Sequence, residues 1–87
     1  IVGGGPAGSA AAIAAALRGS AVELHEQSAF PRHKVCGEFL SAEIEPALER
    51  LGIWRRFLDQ APARVRTLRL YFGRTRKSAA LPEAAHG

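Results

Sequence analysis

Three glycines, Gly3, Gly5 and Gly8, stand in G-x-G-x-x-G spacing directly after the strand-like pair Ile1-Val2 and directly before the Ala, Ile and Leu run from Ser9 to Arg18. That order predicts a strand, a tight turn and a helix. The three glycines act differently. The first permits the turn, the second lets the backbone approach a pyrophosphate, and the third lets the helix pack closely on the sheet. Free N–H groups around Ala7 to Ser9 and the positive end of the helix dipole then favour a phosphate, to which the Ser9 hydroxyl adds a donor.

Gly19 follows the Ala-rich run where a left-handed helix C′ residue belongs. Ala21 to Glu26 alternates apolar and polar side chains, which predicts a short strand with Val22 and Leu24 on one face. Its last residue, Glu26, lies 18 positions after Gly8, close to the spacing of about 20 expected for the acid that binds an adenosine ribose. A carboxylate there repels a 2′-phosphate, so the expected nucleotide is FAD or NAD, with NADP left as a diffusing reductant.

Residues 27–40 read as a loop with Phe30, Val35, Phe39 and Leu40 as buried anchors. Ser41 is a candidate N-cap for a helix ending at Gly52, with Leu48, Leu51 and the Ile53-Trp54 pair at helical spacing. Pro46 leaves two options, a helix that starts near it or a distorted first turn. From Arg64 to Leu81 the β-branched and aromatic residues around Gly73-Arg74 predict a β-hairpin, and Pro82 to Gly87 is expected to fray.

With 87 residues, 17 of them alanine, the chain has room for at most one small domain, and such domains bury only about 60% of their unfolded surface. The absence of methionine and the two-residue first strand make it a candidate piece of a longer protein. One cysteine and no signal peptide point to the cytoplasm, and no apolar run approaches the roughly 20 residues of a membrane span. Net charge is +4, distributed as four basic against six acidic side chains in residues 1–52 and eight against two in residues 53–87. The second half is basic enough to raise nucleic acid, but a solvated hairpin face accounts for the arginines without it. His25 and His86 lack further ligands at metal spacing, so no metal is expected, and no serine sits in a G-x-S-x-G turn.

Gly3-Gly4-Gly5-Pro6-Ala7-Gly8-Ser9, Glu26 and the stretch Phe30-Pro31-Arg32-His33-Lys34-Val35-Cys36-Gly37-Glu38 together resemble the FAD-dependent geranylgeranyl reductase-like oxidoreductases. These group with the flavin monooxygenases of the para-hydroxybenzoate hydroxylase type and the flavin-dependent halogenases. The resemblance implies an α/β fold, the N-terminal βαβ of a glutathione-reductase-type Rossmann FAD-binding domain, incomplete here and followed by a helix and a β-hairpin. It implies that Gly3, Gly5, Pro6, Ala7, Gly8 and Glu26 hold the ADP half of FAD. Arg32, Cys36 and Gly37 would approach the pyrophosphate, ribityl or ring region, and residues 64–81 would begin the substrate-side sheet. The family's later Gly-Asp segment has no counterpart in these residues.

Two readings stay open at the basic loop. Cys36 is either a thiol activated by Lys34 and Arg32 beside the flavin or a small buried apolar residue. Lys34 and Arg32 either neutralise phosphate or pair with Glu38 and Glu26, unless they are simply solvated. The resulting expectation is residues 1–53 as an FAD-binding segment and residues 54–87 as linker and hairpin of a flavin-dependent reductase or monooxygenase. Such an enzyme passes hydride from NAD(P)H through FAD to an organic small molecule or oxygen. The alternatives are an NAD-dependent dehydrogenase segment, which shares the glycines and Glu26 but does not require residues 31–37, and an inactive fragment or basic binding module. Oligomeric state is not legible.

Overall fold

Gly5 has extended backbone and caps a helix that begins at Pro6, three residues before the expected start. The structure, a computed structural model, describes residues 1–36 and 38–81. This first helix, α1, runs Pro6–Leu17. Proline suits its first position because its φ is already helical and it has no N–H to leave unpaired. At the other end Gly19 donates to the Ala16 carbonyl at 2.9 Å and Ser20 to the Ala15 carbonyl at 3.1 Å. With Gly19 at φ +83°, that pair of bonds is the Schellman closure expected from the sequence.

Beyond α1 the chain returns beside its own beginning, parallel to it. His25 N–H donates to the Ile1 carbonyl at 2.9 Å, Gly3 N–H donates to the His25 carbonyl at 2.7 Å, and the Ile1 ammonium reaches the Glu23 carbonyl at 2.7 Å. The strand expected over residues 21–26 is thus reduced to one parallel bridge, Val2 with His25. A ladder needs a partner, and at Gly3 (φ +96°) the partner turns away into α1. Ile1–Val35 forms one compact unit and Cys36–Gly87 a second.

In the second unit α2 spans Ile44–Arg50. Ser41 is not its cap: Glu43 holds that position, and the Ser41 hydroxyl donates to the Glu43 carboxylate at 3.2 Å instead of receiving a backbone N–H. Pro46 falls at the third helical position, inside the first turn where a missing N–H breaks no intrahelical bond. Gly52 and Ile53 close α2 by donating to the Glu49 and Leu48 carbonyls at 2.9 and 3.0 Å.

Immediately after comes a second short helix, α3, Trp54–Asp59, where the sequence predicts only a linker. Gly52 at φ +72° ends one helix, and Trp54, Phe57 and Leu58 restart the i, i+3, i+4 pattern. Trp54 and Phe57 stack with ring centroids 5.4 Å apart and planes 21° apart. The fold therefore carries two helices where one was expected.

Strands β1, Thr67–Phe72, and β2, Thr75–Ala80, form the expected antiparallel hairpin, paired from Thr67 with Ala80 to Phe72 with Thr75. The two-residue turn has a positive φ at Gly73 and none at Arg74, the pattern of a type II′ turn. Leu68, Leu70 and Phe72 alternate onto one face, yet every residue of both strands is exposed. Among the described residues of this unit no helix or further strand covers the hairpin, and two strands alone cannot bury a face. The loop anchors fare alike: Phe30, Val35, Phe39 and Leu40 are exposed rather than buried. Residues 82–87, expected to fray, lie outside the described residues. Among the described residues no helix is long and apolar enough to cross a membrane. Architecturally the chain is α/β.

Candidate functional site

Gly8 sits so close to the glycine turn that a Cβ on it would lie 1.9 Å from the Gly3 carbonyl oxygen. Any side chain there would push α1 off the turn. Gly3 itself has a positive φ, a conformation most L-residues avoid. Gly3 thus permits the turn as its spacing predicts, whereas Gly8 lets α1 lie against that turn rather than against a sheet. The start of α1 has no side-chain cap and no acidic residue in its first turn, so the N–H groups of Ala7 and Gly8 lack intrahelical partners, while Ser9 N–H already bonds the Gly5 carbonyl at 2.8 Å.

The Ser9 hydroxyl donates to the Gly4 carbonyl at 3.1 Å, which ties the helix back to the turn. Gly4, not singled out by the sequence reading, is the second anchor of that turn. Its N–H donates to Glu26 Oε2 at 2.7 Å. A run of three glycines was the available signal, since a Cβ on the middle one would stand 3.3 Å from side-chain atoms of Glu26 and Leu24.

Glu26 is the best-connected side chain of the unit. Oε2 accepts from Gly4 N–H and, at 3.2 Å, from the Arg32 guanidinium, while Oε1 accepts from Ser28 N–H at 3.0 Å. Its carboxyl is held below the usual glutamate range, chiefly by the Gly4 N–H and then by the Ser28 N–H. Partial burial opposes this, and the Arg32 charge and Gln27 N–H add to it. Glu26 and Arg32 side chains are only 13% and 21% exposed, so the pair is largely shielded from solvent. Arg32 also lies over the Phe30 ring, 5.3 Å from its centroid, and its buried Nε has no hydrogen-bond partner among the described residues.

Gly3, Gly5, Glu26, Arg32 and Lys34 line one open cleft of about 350 Å³. Lys34, left open between phosphate, Glu38 and solvent by the sequence, brings its Nζ to 2.9 Å from where a Gly5 Cβ would stand. Pro6 and Ala7 are exposed on the first turn of α1, with Gly8 and Ser9 half-buried behind them. Cys36 belongs to the second unit, where its thiol is exposed and its Sγ accepts the Glu38 N–H at 3.4 Å. It is not the buried apolar residue of one sequence reading. Gly37 lies outside the described residues. Among those described, no three His, Cys, Asp or Glu side chains gather at metal-binding distance.

Comparison with known proteins matches residues 1–78 to the tryptophan halogenase family. Menaquinone reductase of Mycolicibacterium smegmatis is 47% identical over 53 residues, covering 61% of this chain and 13% of that protein. Menaquinone reductase of Mycobacterium tuberculosis is 42% identical over 59 residues, 68% of this chain and 14% of the relative. Tryptophan 2-halogenase of Chondromyces crocatus is 46% identical over 52 residues, 60% of this chain and 10% of the relative. The chain therefore spans only a small part of the length of these relatives. No solved structure matches it. With nine-tenths of its length matched, the chain belongs to the tryptophan halogenase family, at the level of the FAD-dependent flavoprotein oxidoreductases.

Proposed function

We propose that this chain is the N-terminal FAD-binding portion of a flavin-dependent oxidoreductase, with the geranylgeranyl reductase-like enzymes as its subtype. One observation carries the reading: Glu26, on the segment that returns parallel to residues 1–3, is hydrogen-bonded to the glycine turn that opens α1, so the proposed ribose acceptor and phosphate turn share one cleft. The residues fit a dinucleotide. Gly5 adds no side chain of its own to the cleft floor, the first turn of α1 offers uncapped N–H groups, and two cations stand in the wall.

On this reading Gly3, Gly5, Pro6, Ala7, Gly8 and Ser9 form the phosphate turn and Glu26 accepts from the adenosine ribose. By the family resemblance, Arg32, Cys36 and Gly37 would contact the pyrophosphate, ribityl or ring region. Residues 1–53 supply the cofactor site, and residues 54–87 begin the substrate side. FAD, when bound, would supply the redox chemistry between diffusing NAD(P)H and a small organic molecule or oxygen. The chain's own residues bind and orient. The α1 terminus and the basic side chains offset phosphate charge, and the fixed Glu26 carboxylate disfavours a 2′-phosphate. A cytoplasmic setting belongs to the same proposal.

The test is the visible absorbance spectrum of the protein carrying this segment, purified without added cofactor. Flavin bands that vanish in Glu26→Arg support the reading. A colourless protein that fails to take up FAD but binds NAD would replace it with an NAD-dependent dehydrogenase.

A further inference from the structure

The cleft contains two cations in different states. Arg32 is committed: its guanidinium bonds Glu26 Oε2 at 3.2 Å, lies over Phe30, and is mostly withdrawn from solvent. Lys34 is exposed and has no ion pair or hydrogen bond among the described residues, although it lines the same cleft. Its Nζ stands over Gly5, the residue from which α1 starts. Glu26 and Arg32 neutralise each other, which leaves Lys34 as the uncompensated charge of the wall.

We propose that Lys34 is the phosphate-binding cation of this cleft, meeting the pyrophosphate of the bound dinucleotide, and that Arg32 is a positioning residue that holds Glu26 toward the ribose. The proposal rests on the nucleotide-binding reading above and deepens it. The chemistry suits each side chain. A lysine ammonium on a flexible stem acts as a mobile point charge toward a phosphate, whereas the planar arginine fork matches a carboxylate and stacks on an aromatic ring. Substituting Arg32 would remove one of the three donors that orient the Glu26 carboxylate and leave it on the Gly4 and Ser28 N–H groups; substituting Lys34 would leave the carboxylate and its three donors untouched.

Calorimetric titration of the full chain, freed of nucleotide, with ADP and separately with adenosine distinguishes the two roles. Wild-type protein should bind ADP more tightly than adenosine. Lys34→Gln should lose about tenfold in ADP affinity with adenosine affinity unchanged, which also shows that the variant is folded. Lys34→Arg should recover most of the ADP affinity. Arg32→Gln should weaken adenosine and ADP together. An unchanged ADP affinity in Lys34→Gln, or an equal loss for both probes, overturns the assignment while the nucleotide site stands. A wild-type chain that binds neither probe removes the nucleotide reading and the assignment with it.

Discussion

The α carbon of Gly8 approaches the carbonyl oxygen of Gly3 so closely that a methyl group on it would stand 1.9 Å away. The contact is with backbone on one side and a helix on the other, so neither can yield cheaply. Gly8→Ala should lower stability by about 1 to 3 kcal/mol, the range for forcing an extra group into packed structure, read as a shift in the urea midpoint. Gly5→Ala is the matched contrast. Its methyl meets the Lys34 ammonium at 2.9 Å and, in ordinary contact, the Arg32 guanidinium at 3.9 Å; both are ends of long side chains, so the midpoint should move little while Lys34 is displaced.

The Glu26 carboxyl is held below its ordinary value, which fixes the sign of its pH dependence. A group with a depressed folded-state pKa stabilises the fold above its unfolded value, about 4.3 for glutamate, and loses that contribution as pH falls through the lower folded value. The urea midpoint should therefore drop on acidification below about pH 4.3. Glu26→Gln should start from a lower midpoint at pH 7 and show a shallower decline. An equally steep decline in the variant would assign the acid sensitivity to other carboxylates.

Arg32 is only a secondary cause of that depression; the Gly4 and Ser28 N–H groups come first. In Arg32→Met the Glu26 carboxyl, followed by carbon NMR through an acid titration, should rise toward the ordinary range without reaching it. Full return to the ordinary value would mean that the backbone donors release the carboxylate when the guanidinium is gone.

Trp54 is the chain's one tryptophan, and it stacks on Phe57 within α3. Phe57→Leu keeps an apolar side chain and removes the ring contact, which is worth about 0.5 to 1.5 kcal/mol beyond buried area. Trp54 fluorescence should change in the folded state and report an unfolding transition at lower urea.

What the sequence disclosed of this fold is what local chemistry determines. The glycine spacing required a turn, Gly19 and Gly52 end helices whose carbonyls they satisfy, and the Gly73-Arg74 turn sets the hairpin register. Glu26 was legible as a candidate site residue because its position is counted along the chain. Its bond to Gly4 was not, because that depends on how the returning segment lies beside the turn. The same holds for Arg32 and Lys34, two residues apart in sequence, one clamped to Glu26 and the other over Gly5. Helix α3 was obscured because Ile53 and Trp54 continue the spacing of α2, and only the positive φ at Gly52 separates them.

On the proposed reading, the hydrogen bond from Gly4 to Glu26 joins the phosphate turn to the ribose acceptor within the protein's own structure. Ordering this loop is then a cost of folding, and a nucleotide arriving at the cleft meets a surface already set in shape. Because little chain entropy remains to be lost on association, nucleotide capture by this segment should resemble docking to a rigid template, with an encounter rate governed by diffusion and charge.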